Sequence, residues 1–452
     1  MSLWQDDPTL ERVARPPLPG PVDVDVAVVG AGYTGLWTAL SLAEADPALR
    51  IVVLEAETVG FGASGRNGGW CSAIFPATLR KVVAQSSPDA ARRMQAAMND
   101  TVEEVRRATE RLGIACDYAR GGYVSVARDA AQWQRARAEV RSWRDAGFGE
   151  DQVRLLTAEE AGEHVRASRV RGATFTPHCA ALHPAKLVHG LARAVEAAGV
   201  RVHEGTRVRA VAPGRVRTDR GDVRCEVAVL ATEGYTPALP GHRRDLLPVY
   251  SLMIATEPLP ADALAAVGLD RRPTFSDKRH LRIYGQRTAD GRIAFGGRGA
   301  PYHYGSRVRP RFDRDRRVHA MLRRVLVDLL PPLHSVEVTH EWGGNLGVPR
   351  DWFPSVRFDR RTGIAVAGGY VGDGVASANL AGRTLRDLVL DRPSELRELP
   401  WTGHRSPRWE PEPLRWLGAN ASTLLFAAAD RAERRTGRPS RAAAGFWRAL
   451  GH

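Results

Sequence analysis

Residues 23–55, DVDVAVVGAGYTGLWTALSLAEADPALRIVVLE, constrain this chain more than any other stretch. The apolar run at 26–29, bounded by Asp25 and Gly30, reads as a strand buried on both faces. Gly30-Ala31-Gly32-Tyr33-Thr34-Gly35 follows at once, and Leu36, Ala39, Leu40 and Leu42 then recur at helical spacing until Asp46-Pro47. A second apolar run at 51–54 ends in Glu55. Each part has a physical role. Gly30 permits the tight turn, Gly32 lets the backbone approach a pyrophosphate, and Gly35 lets the helix lie close to the strand. Unpaired N–H groups at the helix start then face the phosphate charge. Glu55 stands where a carboxylate accepts hydrogen bonds from both ribose hydroxyls, and it would repel a 2′-phosphate. Strand, glycine turn, helix, strand and acid in this order predict a dinucleotide-binding βαβ unit.

The bulk numbers set the frame. A chain of 452 residues suggests two or three domains. Hydrophobic content of 43% is that of a globular protein with ample core. No apolar run approaches the ~20 residues that span a bilayer, and the N-terminus carries acids without an apolar segment, so neither a membrane anchor nor a secretion signal is expected. Four cysteines (Cys71, Cys116, Cys179, Cys225) lie far apart without metal-binding spacing, which fits a reduced, cytoplasmic setting. The net charge is +14, almost all of the excess is arginine, and no basic run alternates with aromatics. A nucleic-acid partner is therefore not expected.

Along the chain, residues 1–21 form a Pro-rich polar lead-in expected to drape over the surface. The loop 59–70 holds many glycines and fixed polar groups: Ser64 can donate to a phosphate, Arg66 and Asn67 can reach polar ring atoms, and Gly68-Gly69 can let a ring system pass. Helices are predicted at 88–113, 130–146 and 185–198, and strands at 122–127, 200–208 and 226–231, with Thr157–Glu160 a capping box. The stretch 173–182 is extended, and 216–218 with 222–224 forms a small hairpin. Between 241 and 340 the pattern changes to strand-like stretches at 249–256, 281–284 and 292–297, an antiparallel sheet and hence a second domain, followed by a helix at 313–330. A buried strand at 363–368 runs into a second glycine turn and the helix 375–390, aiming another helix N-terminus at a ligand. Residues 391–452 are Pro- and Trp-rich, then helical, and expected to clasp the outside.

Taken together, the 30–55 fingerprint, the loop 62–69, the strand end Val229-Leu230-Ala231-Thr232 and the glycine-rich segment 368–382 resemble the D-amino-acid-oxidase superfamily. Within it the chain is most similar to bacterial glycine/D-amino-acid-oxidase-like and γ-glutamylputrescine-oxidoreductase-like amine oxidases, over residues 22–390. The resemblance implies a mixed α/β fold: a discontinuous Rossmann-like FAD-binding domain (22–115, 173–240, 341–392), an antiparallel-sheet substrate domain (116–172, 241–340) and a C-terminal helical extension (393–452). By position it implies that Gly30, Gly32, Tyr33, Thr34 and Gly35 hold the pyrophosphate and Glu55 the ribose. Ala63, Ser64, Arg66, Asn67, Gly68 and Gly69 fall beside the flavin, Val208 beside adenine, Thr232 at the cofactor-facing strand end, and Gly372, Asp373, Gly374 and Val375 at the second helix start. The implied chemistry is oxidation of an amine or amino-acid C–N bond by hydride transfer to flavin N5. The imine product hydrolyses, and O2 or another acceptor reoxidises the flavin. Two alternatives stay open: a hydroxylase-type flavin monooxygenase, which shares the early fingerprint and a late Gly-Asp (Gly372-Asp373), and a non-catalytic flavin-binding protein.

Two departures from the sarcosine-oxidase branch matter. The stretch 341–349 has no cysteine, which predicts noncovalent FAD. The strand aligned over the flavin, 293–296, has no lysine, which opens the reading of a dehydrogenase with an acceptor other than oxygen. For the substrate, Arg282 and Tyr284 alternate onto one strand face, fit to bind a carboxylate and flank an amine. Tyr250, Met253, Trp342, Trp352 and Tyr370 can form a wall around a cation or ordinary core. His183, His280, Cys71 and Asp351 read as structural, and no catalytic acid or base is identified.

Overall fold

The structure, a computed structural model, describes residues 2–449. Its first sheet has the strand order Ser355–Asp359, Ile364–Gly368, Asp222–Leu230, Val22–Val29, Ile51–Leu54, Arg201–His203. All neighbouring pairs in that order are parallel except the first. The meander Val208–Ala212 and Arg215–Thr218 attaches to the Asp222–Leu230 strand. Parallel strands buried on both faces need continuous apolar runs. Ile51–Leu54 is buried throughout, and Val22–Val29 from Val26 on. Helices Tyr33–Ala45, Pro184–Ala197, Pro88–Arg111 and Gly374–Val389 cover one face and share its main core.

The second sheet runs Val338–Val348, Leu247–Thr256, Ile293–Gly297, Ile283–Arg287, Thr274–Asp277, Tyr123–Ala127, Gly172–Thr176, Arg154–Leu156. Only the Thr274–Asp277 and Tyr123–Ala127 pair is parallel. The expected junctions at 172/173 and 340/341 fall inside strands of this sheet. Gly172–Thr176 pairs with Tyr123–Ala127, and Val338–Val348 pairs with Leu247–Thr256 along its length, so pairing carries the sheet past both positions. The strand expected at 281–284 begins two residues later, at Ile283, and leaves Arg282 outside it.

The lead-in is not merely a surface drape. Trp4 is 1% exposed and packs with Met253, Ala294 and Trp342, while its Nε1 donates to Asn67 O at 2.8 Å. The Arg15 guanidinium bridges Glu196 and Glu204, which ties the lead-in's second half to the fold as well. The C-terminal extension is helical as expected, in Leu414–Thr436 and Arg441–Ala449. No helix among the described residues is long and apolar enough to cross a membrane.

The fold's tightest approach is at Gly35. A Cβ there would stand 1.9 Å from Gly30 O and 3.1 Å from a Val28 methyl. Gly35→Ala is expected to cost about 1–3 kcal/mol or more through overpacking and to lower the ratio of flavin to protein absorbance in purified protein. Gly418→Ala, where nothing lies within 4 Å of the new methyl, should leave flavin content unchanged and the melting temperature equal or higher. Equal flavin content and melting temperature in Gly35→Ala and wild type would contradict this.

Candidate active site

The first glycine turn sits at the carboxyl end of the parallel strands, where open α/β sheets bind ligands. Gly30 has φ +106°, and a Cβ would meet Ala231 O at 2.7 Å, so only glycine fits between the two strand ends. Gly32 caps the Tyr33–Ala45 helix with no side-chain hydrogen bond, which leaves first-turn N–H groups for a ligand. Tyr33 contributes backbone: its N–H donates to Ser64 Oγ at 2.9 Å, while its ring is buried and its hydroxyl donates to Pro184 O. Glu55 ends its strand beside this turn, with Oε2 accepting from Ala31 N at 2.9 Å and Oε1 from Glu57 N at 3.0 Å. Burial raises its pKa, partly offset by these two bonds. Val208 lies two residues beyond Thr206, whose N–H donates to Glu55 O. Thr232 follows the strand end beside Gly30, its hydroxyl 2.8 Å from that of Thr236.

The loop at 62–69 is held by its own side chains. Asn67 Nδ2 donates to Ala63 O and Ser64 O, and Asn67 Oδ1 accepts from Gly69 N at 2.7 Å. The Arg66 guanidinium is paired with Asp313 at 2.5 Å and lies over the Phe61 ring. These two side chains therefore brace the loop. Gly68 and Gly69 leave no room for side chains: a Cβ would stand 2.8 Å from the Tyr284 ring or 2.0 Å from Gln286 Nε2.

The second turn carries Val371 at φ +54° and Gly372 at φ +112°, then Gly374–Val389. Asp373 caps this helix without a side-chain bond, Gly374 packs under Tyr370, and Val375 enters the core. Thr34 Oγ1 lies 3.2 Å from Tyr370 Oη and ties the two helix starts together. Both turns thus open on one cleft, and the uncapped helix ends, the glycine cradle and the terminal Glu55 fit an FAD pyrophosphate and ribose.

Over the cleft, strand register aligns Trp342, Met253, Gly296 and Tyr284 in one row of the second sheet. Tyr284 lies across Gly296, where a Cβ would be 2.4 Å from its Cζ, and its hydroxyl is 2.9 Å from Ser251 Oγ. Tyr250 is not in this row. It is three residues from Met253, on the opposite face by strand alternation, and packs edge-on to His303 and Phe312. Tyr250, expected at the substrate, is 1% exposed and belongs to the apolar cluster behind the sheet. Tyr370 lies inside the helix layer, and Trp342, within the row, donates from Nε1 to Arg66 O. Trp352, at φ +60°, stands at the rim with the Arg298 guanidinium 5.2 Å from its ring. Arg282 is exposed, its carbonyl accepts from Arg298 N at 3.0 Å, and Arg282 and Arg298 both act electrostatically on Asp373. Burial pushes Asp373 up to about 6 against the pull of these two cations.

Three residues escaped the sequence reading. Arg298 follows Gly296-Gly297 with nothing local to mark it. Gln286 is fully buried, its Nε2 donating to Gly68 O at 2.7 Å and Leu182 O at 3.1 Å, while its Oε1 has no protein partner. Its place two residues after Tyr284 was the available signal. Glu233, at φ +42°, accepts from Gly369 N at 3.2 Å and Tyr370 N at 3.1 Å and so pins the second turn. His183 and His280 are structural as expected. His183 caps the Pro184–Ala197 helix through Nδ1, and burial holds it neutral with its pKa down to about 4. All four cysteines are buried thiols.

A sequence profile for FAD dependent oxidoreductases, the DAO family, matches residues 25–388. The chain belongs to this family. It is 32% identical to the γ-glutamylputrescine oxidoreductase of Escherichia coli over 399 residues, covering 86% of this chain and 90% of that protein. It is 30% identical to a probable oxidoreductase, OrdL, of Rhizobium meliloti over 87% of this chain and 89% of that one. In fold it is similar to glycine oxidase from Geobacillus kaustophilus, with TM-score 0.69, 23% identity, and 84% and 99% of the two chains covered. L-Proline dehydrogenase from P. horikoshii gives TM-score 0.69 at 19% identity, over 83% and 96%. This enzyme is therefore an FAD-dependent oxidoreductase.

Glu233 yields a pH prediction. Burial raises its pKa to about 7, above an ordinary glutamate. A carboxyl raised in the folded state favours the native protein when protonated, so its contribution is lost as pH rises from about 4.5 to about 7. The group's share is of order 1–3 kcal/mol. Melting temperatures across that window should fall less steeply in Glu233→Gln than in wild type, and parallel curves would contradict the assignment.

Proposed function

We propose that this oxidoreductase oxidises the C–N bond of a substrate carrying both an amine and a carboxylate, and that its FAD is held without a covalent bond. The observation that carries this reading is Arg298, whose N–H donates to Arg282 O at 3.0 Å and whose guanidinium donates to Val371 O at 2.7 Å, two residues before Asp373 at the second helix start. Guanidinium groups match a carboxylate in geometry and charge, and a carboxylate matches an ammonium. Bound FAD supplies the electron acceptor for the bond chemistry. The chain supplies the rest. Arg298, held by its bond to Val371 O at 2.7 Å and by Trp352, orients the acid end of the substrate. Asp373, ionised above about pH 6, holds the amine or takes its proton. Tyr284 and Met253 close the row above and exclude water. The name of one sequence relative, γ-glutamylputrescine oxidoreductase, agrees with an amine substrate.

The electron acceptor is a second point. The chain has three lysines. Lys81 bonds Asp351 O, Lys186 pairs with Asp117, and Lys278 pairs with Glu139. No lysine stands in the row above the cleft, and this supports an acceptor other than oxygen.

Anaerobic mixing with a panel of amines and amino acids tests the reading. Flavin absorbance should bleach with amino-carboxylates and far less with their decarboxylated amines. Arg298→Gln should raise the apparent Kd roughly 10–100-fold. The rate of bleaching should rise through about pH 6 in wild type, and Asp373→Asn should remove that limb. Equal bleaching by amines with and without the carboxylate would contradict the substrate class. Acid precipitation should leave the flavin in the supernatant; flavin in the pellet would contradict noncovalent binding.

A further inference from the structure

The C-terminal extension lies beyond the matched region, which ends at residue 388, yet it reaches the groups just described. Phe426, Ala429 and Ala443 form an apolar cluster with Leu281, Phe446 and Trp447. Phe426 stacks on Trp447 at 5.0 Å and meets Phe446 edge-on at 5.2 Å, so the two terminal helices are locked as a hairpin. Two contacts leave this hairpin for the candidate substrate site. Asp430 accepts from His280 N at 2.7 Å and Leu281 N at 3.0 Å, which fixes the backbone immediately before Arg282 and Tyr284. Trp447 packs edge-on against Trp352 at 5.6 Å, and Trp352 carries the Arg298 guanidinium.

The hairpin is anchored elsewhere as well. Glu433 is 1% exposed and engages Arg135 at 2.7 Å and His280 at 2.9 Å. Asn420 exchanges hydrogen bonds with the Tyr302 backbone, and Glu412 accepts from the Tyr302 hydroxyl. Such redundancy exceeds what a loose surface clasp needs, and its inner end bears on both arginines.

We propose that the Leu414–Ala449 hairpin is the outer wall of the substrate pocket, with Trp447, through Trp352, limiting the length of tail the pocket admits. This rests on the reading of Arg282 and Arg298 as the carboxylate-binding pair. The wall selects among substrates of that class: short amino-carboxylates fit, and longer ones meet the Trp352–Trp447 pair. Trp447 is thereby a specificity-determining residue supplied by a segment outside the family core.

The test uses holoenzyme and straight-chain carboxylates from acetate to octanoate, titrated against the flavin absorbance spectrum. Trp447→Ala should tighten hexanoate and octanoate by about four-fold for each methylene newly accommodated and leave acetate within about two-fold. Trp447→Phe should stay close to wild type, which controls for loss of the hairpin. A parallel change for all lengths, no change in Trp447→Ala, or no perturbation of the wild-type flavin by any carboxylate would overturn the inference. The amine panel reports separately on the reaction: bleaching by amino-carboxylates without length discrimination would sink the wall and leave the reaction standing.

Discussion

Two glycines decide where everything else can stand. Gly35 lets the Tyr33–Ala45 helix lie against the Val22–Val29 strand, and Gly382 lets the Gly374–Val389 helix lie against that same helix. A Cβ at Gly382 would be 2.8 Å from both Thr38 N and Trp37 C. Side chains at either position would push the layers apart and separate two helix N-termini that are more than 300 residues apart in sequence. With both present, the uncapped starts at Gly32 and Asp373 open on one cleft, and the bond between Thr34 and Tyr370 holds them there. Partial positive charge from two directions is what a long anionic cofactor requires.

The covering sheet works by alternation. Along Leu247–Thr256, Ser251 and Met253 look to the cleft, while Tyr250, Leu252 and Ile254 belong to the core behind. The same parity places Tyr284 and Gln286 over the glycines at 68–69 and Gly296 beneath the Tyr284 ring. A glycine is needed wherever an aromatic ring or a loop backbone crosses the sheet at contact distance, which is why this face alternates between bulky and absent side chains. Arg282 is exposed just before the Ile283–Arg287 strand, and Arg298 is half-buried just after the Ile293–Gly297 strand.

The two glycine turns and the elements around them were legible in the sequence, because they are built from local rules. A buried strand, a glycine turn and a helix start within thirteen residues can be read from spacing alone. The substrate side was not, because its geometry depends on register between distant strands. A shift of two residues in the strand near 283 moves Arg282 off the sheet, and strand parity sets Tyr250 in one apolar cluster and Met253, three residues on, in another. Arg298 and Glu233 gain their meaning only from partners far away in sequence, Trp352 and Asp373 for one, Gly369 and Tyr370 for the other. Trp4 was hidden by its company, a single aromatic in a polar, Pro-rich lead-in whose apolar partners lie some 180 to 340 residues downstream.

On this reading two distant glycine turns form one cofactor cleft beneath the Trp342–Met253–Gly296–Tyr284 row. A crystal structure of the FAD-loaded enzyme tests it most directly. Flavin density should run from a ribose on Glu55, past a pyrophosphate at Gly30–Gly35, to a ring between Gly68-Gly69 and the Gly372–Val375 turn. A ring placed away from the second turn, or a pyrophosphate bound elsewhere than the first, would contradict the account.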